Sequence, residues 1–396
     1  MRIAITGMGM VTPYGMNLTE TMYGLNNQHD SVNHTVPLKI AKNKEKLIEV
    51  KLVPYEQTNL DIPKSFDFTE KAVNEALVRA GLDKKISDKD ITIGVSITST
   101  VPSVNVFTDI INQLENEPRL VKSSTLLNVL NNSIATHIAH KFGCKGPCIS
   151  SSAACAGGLQ SIFAGIKALE RHEADIMICG ASEEYSNLLA FIFHKLGILS
   201  NKCKPFAPDR NGIIISEGTG IVILEREKHA LNRNAKILAT IDGYATSLST
   251  NIAFSDTESI YKSMYVAGLR SLLRELPIII NAHATGTFVG DETERLAIEQ
   301  STKTPHLRYN TVTYKQYFGH TMAASGVIEL IASIEQTEKL EYSLNTYSND
   351  KTLKLMTEEE RTKLQLRDPE QICILKNSFG LGGTNASLFV IVDRYS

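Results

Sequence analysis

The chain has 396 residues, 42% of them hydrophobic, and a formal net charge of −2. That is enough sequence for two domains or one large duplicated core. Near-neutral charge argues against a nucleic-acid binder held by bulk positive field, and no segment reaches the roughly eighteen uninterrupted apolar residues of a membrane span. Met1 to Gly7 carries one basic residue and too short an apolar stretch for a signal peptide, so a cytoplasmic location is expected. The cysteines at 144, 148, 155, 179, 203 and 373 show no metal-ligand repeat, and reduced thiols with no bound metal are expected.

Apolar runs alternate with amphipathic ones along the chain, the pattern of an α/β architecture with buried sheets. Strands are predicted over 2–6, 91–96, 175–179, 220–224, 237–242, 277–281, 372–376 and 387–392. A first long helix is predicted with Thr69 as its cap, Ala72, Val73, Ala76, Leu77 and Ala80 on one face, and Gly81 as its stop signal. Further helices are predicted over 156–171, 259–275 and 325–339, and the charge-rich stretch 351–367 reads as a surface excursion.

Four clusters carry chemistry. Cys155 lies in Ser-Ser-Ala-Ala-Cys-Ala-Gly-Gly, after a short strand at Pro147-Cys148-Ile149 and before Leu159, Ile162, Phe163, Ile166 and Leu169 at helical spacing. At such a corner the sulfur is expected near a helix N-terminus, where backbone N–H groups favour thiolate, and Gly157 and Gly158 leave room for a substrate or partner backbone. A buried structural cysteine is the plainer alternative. In the second cluster, the strand ending at Asn281 empties into His283, Thr285, Gly286, Thr287, Gly290, Asp291 and Glu294, a poor core but a good site, with two glycines that let backbone lie against a ligand.

The third cluster places Lys315 and His320 before a helix carrying Glu329 among apolar neighbours. A helix N-terminus beside His320 disfavours the imidazolium. The fourth, 376–385, is a glycine-rich loop between two strands that fits neither phosphate-binding fingerprint. Either histidine alone reads as structural; the clusters together do not.

In order and spacing these clusters resemble the β-ketoacyl-acyl-carrier-protein synthases, condensing enzymes of the thiolase fold, over nearly the whole chain. The resemblance runs from Ile5-Thr6-Gly7-Met8-Gly9-Met10-Val11-Thr12-Pro13 through Cys155 and Pro205-Phe206-Ala207-Pro208-Asp209-Arg210-Asn211-Gly212 to His283, Lys315, His320, Glu329 and 377–385. It implies a duplicated five-layered αβαβα core with halves 1–234 and 235–396, the nucleophile in the first and both histidines in the second, and a dimer. It further implies that Cys155 accepts an acyl group from the phosphopantetheine thioester of acyl carrier protein, with the backbone N–H groups of Cys155 and Leu381 as oxyanion hole. His283 and His320 would steady the enolate formed by decarboxylation of a malonyl carrier, Lys315 and Glu329 would support them, and Thr285 and Thr287 would bind the pantetheine arm. Phe379 and Leu381 would contact substrate, and no separate cofactor is implied.

Departures from the family pattern accompany the matches. Leu381 stands where a second Phe is common, Ala284 where Gly is usual, and Phe288 where Pro is common. Ala207 and Asn211 replace expected acids, Ser216 replaces a Gly, and 250–258 is short and lacks a His-x-Thr pattern. These favour a specialised type II polyketide or polyene ketosynthase, as a homodimer or paired with a related chain-length-factor subunit. The alternatives are a housekeeping fatty-acid elongating synthase and a non-catalytic partner, the latter opposed by the presence of Cys155, His283 and His320. An initiating synthase would carry Asn at His320, and a thiolase a second catalytic Cys near the C-terminus, whereas Cys373 reads as core. Lys64, Lys71, Lys195, Lys202 and Lys204 are candidates for docking an acidic carrier.

Overall fold

The computed structural model describes the chain except for residues 28–30, 32, 58–61, 83–89, 253–254, 269–275, 303–308, 340–344, 348–352, 356–369 and 394–396. Two sets of five strands repeat one arrangement. In the first, Ile3–Val11 pairs antiparallel with Gly218–Arg226, which pairs antiparallel with Ile176–Glu183; Ile93–Thr98 and then Cys148–Ile149 follow in parallel. In the second, Ala239–Leu248, Thr384–Asp393, Gln371–Phe379, Ile278–Asn281 and Tyr309–Val312 take the same places with the same directions. The two meet where Ile3, Ala4 and Ile5 pair with Ile241, Thr240 and Ala239.

Apolar residues on both faces of these strands require cover on both sides. The helices Gly157–Glu170 and Met322–Lys339 lie between the two sets, and their Leu159, Ile162, Phe163, Val327, Ile328 and Ile331 share one core with strand residues from both. Lys64–Arg79 and Ser133–Lys141 cover the outer face of the first set. Thr257–Ala267 and Phe288–Ser301 cover that of the second. The result is five layers, helix–sheet–helix–sheet–helix. A smaller sheet of Asn33–Ala41, Lys44–Lys51 and Ile215–Ser216 lies beside the first set. Among the described residues no helix is long and apolar enough to cross a membrane.

The strands predicted from apolar runs are all present, several longer than expected: the first reaches Val11, and the last two span Gln371–Phe379 and Thr384–Asp393. The first long helix corrects the expected cap. It begins at Lys64 after Pro63, and the Thr69 hydroxyl sits inside it, donating to the Ser65 carbonyl at 2.6 Å. Its end follows the sequence signal, since Gly81 has φ +66° and its N–H donates to Val78 while that of Leu82 donates to Leu77, a Schellman closure. The helix predicted over 259–275 starts at Thr257 behind an Asp256 cap, and its predicted end lies outside the described residues, as does most of 351–367. The helix predicted from 325 starts at Met322, which brings its first turn up to His320. The exposed hairpin over 33–51 and the helix Phe288–Ser301 were not legible as elements.

Candidate active site

Cys155 follows the short strand Cys148–Ile149 and sits in a single tight turn, Ala154–Ala156, that runs into the helix Gly157–Glu170. Ala154 takes φ +45°, a conformation costly for a side-chain-bearing residue, and the corner is held by the Ser378 hydroxyl, which donates to the Cys155 carbonyl at 2.7 Å. The backbone approaching the first helical turn at Gly158 belongs to this chain: a Cβ there would lie 2.4 Å from the Ala323 carbonyl oxygen. Gly158 therefore sets how closely the two inner helices pack, and with it how closely Cys155 meets the residues before Met322.

His320 is the residue so placed. Its Nε2 lies 3.2 Å from Cys155 Sγ, and its Nδ1 lies 3.2 Å from the Ser325 hydroxyl, which accepts the Thr321 N–H at 2.9 Å. When the Ser325 proton points to Nδ1, the imidazole proton resides on Nε2, facing the sulfur. His283 stands across the same space, its ring 5.5 Å from that of His320 and 5.4 Å from that of Phe379, both edge to face. Its Nδ1 is buried and has no hydrogen-bond partner among the described residues. The His283 and Ala284 N–H groups donate to the two Glu294 oxygens at 2.8 and 2.7 Å, which fixes the loop.

Behind the histidines lies a set of buried charges. Lys315 Nζ is 2.7 Å from Glu329 Oε1, and Lys376 Nζ contacts Glu329 Oε2, all three residues being at most 1% exposed. Lys376 also donates to Asn281 Oδ1 at 2.9 Å, and Asn281 ties back to the Glu329 carbonyl at 2.8 Å. Asp291, wholly buried, receives the Gly286 N–H at 3.0 Å and the Phe206 N–H at 2.7 Å, with Arg210 Nε 3.7 Å away.

Burial dominates the titration of this site. It pushes the Cys155 thiol up to about 11, with Lys315 and the N–H groups of Leu381 and Cys155 pulling against it and Glu183 adding to it. The expectation of a favoured thiolate is thereby corrected: at neutral pH desolvation outweighs the helix terminus, and the resting group is a thiol. Burial, with Lys315 and Lys376 as further causes, holds both imidazoles well below their ordinary value. His320 is neutral as expected, for that reason more than for its helix.

A cavity of about 100 Å³ collects most of the predicted residues: Cys155, His283, His320, Thr285, Thr287, Phe379 and Leu381 all line it. Phe193, Ile198, Ile213 and Ile260 make an apolar flank beside them. The Thr285 and Thr287 hydroxyls are 2.9 Å apart on its wall. Lys315 and Glu329 are one shell further in. Of the docking candidates, Lys64 is corrected: it pairs with the buried Glu217. Lys204 pairs with Asp209, while Lys71, Lys195 and Lys202 are exposed. Sequence reasoning missed Lys376, Asn281 and Ser325 as members of the site. The signal available was a lysine at the end of an apolar strand that must be buried on both faces.

Residues 1–230 match the N-terminal domain of β-ketoacyl synthases and residues 239–341 the C-terminal domain. A mitochondrial 3-oxoacyl-[acyl-carrier-protein] synthase of Arabidopsis thaliana is 30% identical over 98% of this chain and 92% of its own. Two solved structures share the fold. One, AntDE:AntF, is a type II polyketide ketosynthase in complex with its acyl carrier protein, bound to the hexaketide (TM-score 0.82, 23% identity, 99% of each chain). The other is the ishigamide ketosynthase/chain length factor (TM-score 0.81, 22% identity, 100% of this chain and 99% of that). An acyltransferase of the thiolase fold is the class that this architecture and these matches define. The chain belongs to the β-ketoacyl synthase family.

Proposed function

We propose that this protein is a β-ketoacyl-acyl-carrier-protein synthase of a specialised type II polyketide or polyene pathway, built from halves 1–234 and 235–396. The observation that carries the catalytic reading is the 3.2 Å approach of Cys155 Sγ to His320 Nε2 in a cavity whose other wall is His283. In the first half-reaction the sulfur attacks the carbonyl of an acyl thioester on the carrier's phosphopantetheine. The thiol proton passes to the departing carrier thiol. The carbonyl oxygen becomes an oxyanion between the N–H groups of Cys155 and Leu381, a reading supported by their pull on the ionisation of the thiol.

In the second half-reaction a malonyl carrier loses carbon dioxide, and the electron pair of the broken C–C bond forms an enolate. Neutral His283 and His320 donate N–H groups to the enolate oxygen. Preorganised donors of this kind lower such barriers by roughly 3–4 kcal/mol each. The carbanion attacks the acyl-cysteine carbonyl, and Cys155 leaves as thiolate and takes up a proton from solvent. Lys315 and Glu329 hold the second half of the site, Thr285 and Thr287 take the pantetheine arm, and Phe379 packs beside His283.

Leu381, 40% exposed at the mouth, and the apolar flank supply the reason for a specialised substrate, since a branched aliphatic side chain stands at the gate to the sulfur. The similarity to a ketosynthase that binds a carrier protein and a hexaketide supports the same partner class here. A dimer, either of this chain or with a chain-length-factor-like subunit, is supported by the exposed Phe107, Ile111, Leu114, Leu126, Leu127 and Leu130 ahead of the Cys155 corner. The test is to incubate the protein with acyl and malonyl carriers, with and without a candidate partner subunit, and read carrier and enzyme by intact mass. Acylated Cys155 and an extended β-ketoacyl carrier are expected; a Cys155 that is never acylated in any pairing overturns the reading.

A further inference from the structure

Lys376 lies on the strand Gln371–Phe379, in parallel register with Asn281, and is 0% exposed. Its Nζ meets three oxygens: Asn281 Oδ1 at 2.9 Å, the Ala282 carbonyl at 3.4 Å, and Glu329 Oε2. Three acceptors around one nitrogen match the three donors of an ammonium, whereas a neutral amine would turn a lone pair towards one of them. Glu294 is the converse case. It receives the His283 and Ala284 N–H groups and the Asn377 side-chain N–H at 3.2 Å, donors only, which is the surrounding of a carboxylate. Burial pushes its carboxyl up, while these donors and Lys376 hold it down.

The charged groups around Lys376 are therefore Glu329 from the helix Met322–Lys339, Glu294 from Phe288–Ser301 and Lys315 from the turn Lys315–Phe318, with His283 and His320 beyond them. Within this set two cations and two anions cancel, Asp291 beyond Glu294 faces Arg210, and burial raises the Glu183 carboxyl behind Cys155 to about 7, so a proton added to either imidazole would be a poorly compensated buried charge. With Lys376 removed, the remaining three groups sum to one negative charge, and an imidazolium becomes its counter-ion.

We propose that Lys376 is a second positioning residue for condensation, one that balances the buried carboxylates and so keeps His283 and His320 as uncharged donors. The proposal rests on the ketosynthase reading. Its chemical consequence is specific: an imidazolium is acidic enough to hand its proton to the enolate carbon, which turns the malonyl carrier into an acetyl carrier after loss of carbon dioxide and forms no new C–C bond. Neutral histidines leave that carbon to attack the acyl-cysteine.

The experiment compares the full-length enzyme with K376M and K376Q, reading acyl loading and carrier products by intact mass from pH 5 to 9 and the histidine rings by NMR. Thermal unfolding reports whether each variant folds. Expected are a shift of the acidic limb of condensation and of the His283 and His320 titrations to higher pH, and a rise of roughly tenfold in acetyl carrier relative to β-ketoacyl carrier at the acidic limb. Folded variants with unmoved histidine titrations and an unmoved product ratio overturn the proposal. Should neither variant fold, the unaltered enzyme decides. Its three acceptors call for an ammonium, so NMR of the Lys376 Nζ should show a protonated amine at pH 7, and a neutral amine there overturns the proposal. Absence of acyl loading in the unaltered enzyme sinks the ketosynthase reading instead, and leaves the ring titrations to test the charge balance.

Discussion

The two inner helices occupy the same place in two copies of one topology, yet their buried faces differ. Gly157–Glu170 turns Leu159, Ile162, Phe163 and Ile166 inward, with Ser161 as its buried polar side chain, bonded to Ser96. Met322–Lys339 buries Glu329, Ser333 and Gln336 together with Val327, Ile328 and Leu330. The first helix follows the proposed nucleophile on an apolar shelf, and burial above all raises its thiol, with Lys315 pulling against it. The second is the wall of a charged chamber whose Lys315 and Lys376 add to burial in lowering two imidazoles. Duplication supplied one geometry twice; the difference in buried charge divides the chemistry between the copies.

The sharpest way to break this division is Cys155→Ala, which should abolish acyl loading while leaving the malonyl carrier able to lose carbon dioxide at the histidines, both read by intact mass. His320→Ala should do the reverse, sparing loading and lowering the condensation rate by about 10²–10³. Loss of loading in both would refute the separation of roles. Glu329→Gln tests the charged chamber directly: it strands Lys315 and Lys376 together, and denaturant unfolding should register a loss of about 3–5 kcal/mol. An equivalent loss is not expected on the apolar shelf for any single hydrogen-bond deletion, such as Ser161→Ala.

Gly158→Ala acts on the contact between the copies. Its Cβ would overlap the Ala323 carbonyl, and the second helix must move away from the first. A stability cost of about 1–3 kcal/mol is expected, with condensation reduced more than loading because His320 moves with Ala323. The smallest effect concerns the thiol. With its ionisation raised to about 11, alkylation of Cys155 by iodoacetamide should be slow at pH 7 and rise about tenfold per pH unit to pH 9, followed by peptide mass spectrometry. A plateau reached below pH 8 would mean that the helix terminus prevails over burial.

These differences mark where sequence reasoning reaches. Cys155, His283 and His320 were legible because each sits where an apolar run gives way to small residues, a local signal. Lys376 lay in the fourth cluster, but no such local signal marked it out as part of the site. It reads as the last residue of a strand before a glycine-rich loop, and its partner Glu329 is on a different element. Only the parallel pairing of Gln371–Phe379 with Ile278–Asn281, and the helix laid across both, bring the charges together. Thr69 shows the opposite error: a good capping residue became an interior one because Phe66 and Phe68 bury against the outer core and extend the helix backwards. The hairpin over 33–51 is largely exposed, so it lacks the apolar run by which the buried strands were recognised.

The first strand has a consequence for how the molecule is made. Ile3 pairs with Arg226 and Val11 with Thr219, so the opening segment of the chain finds its principal neighbour only after more than half of the polypeptide exists. Closing so long a loop is slow, and the waiting strand presents an unpaired apolar edge meanwhile. The Cys155 corner precedes Gly218–Arg226 in the chain, so its packing is complete only when that strand and the second copy are in place.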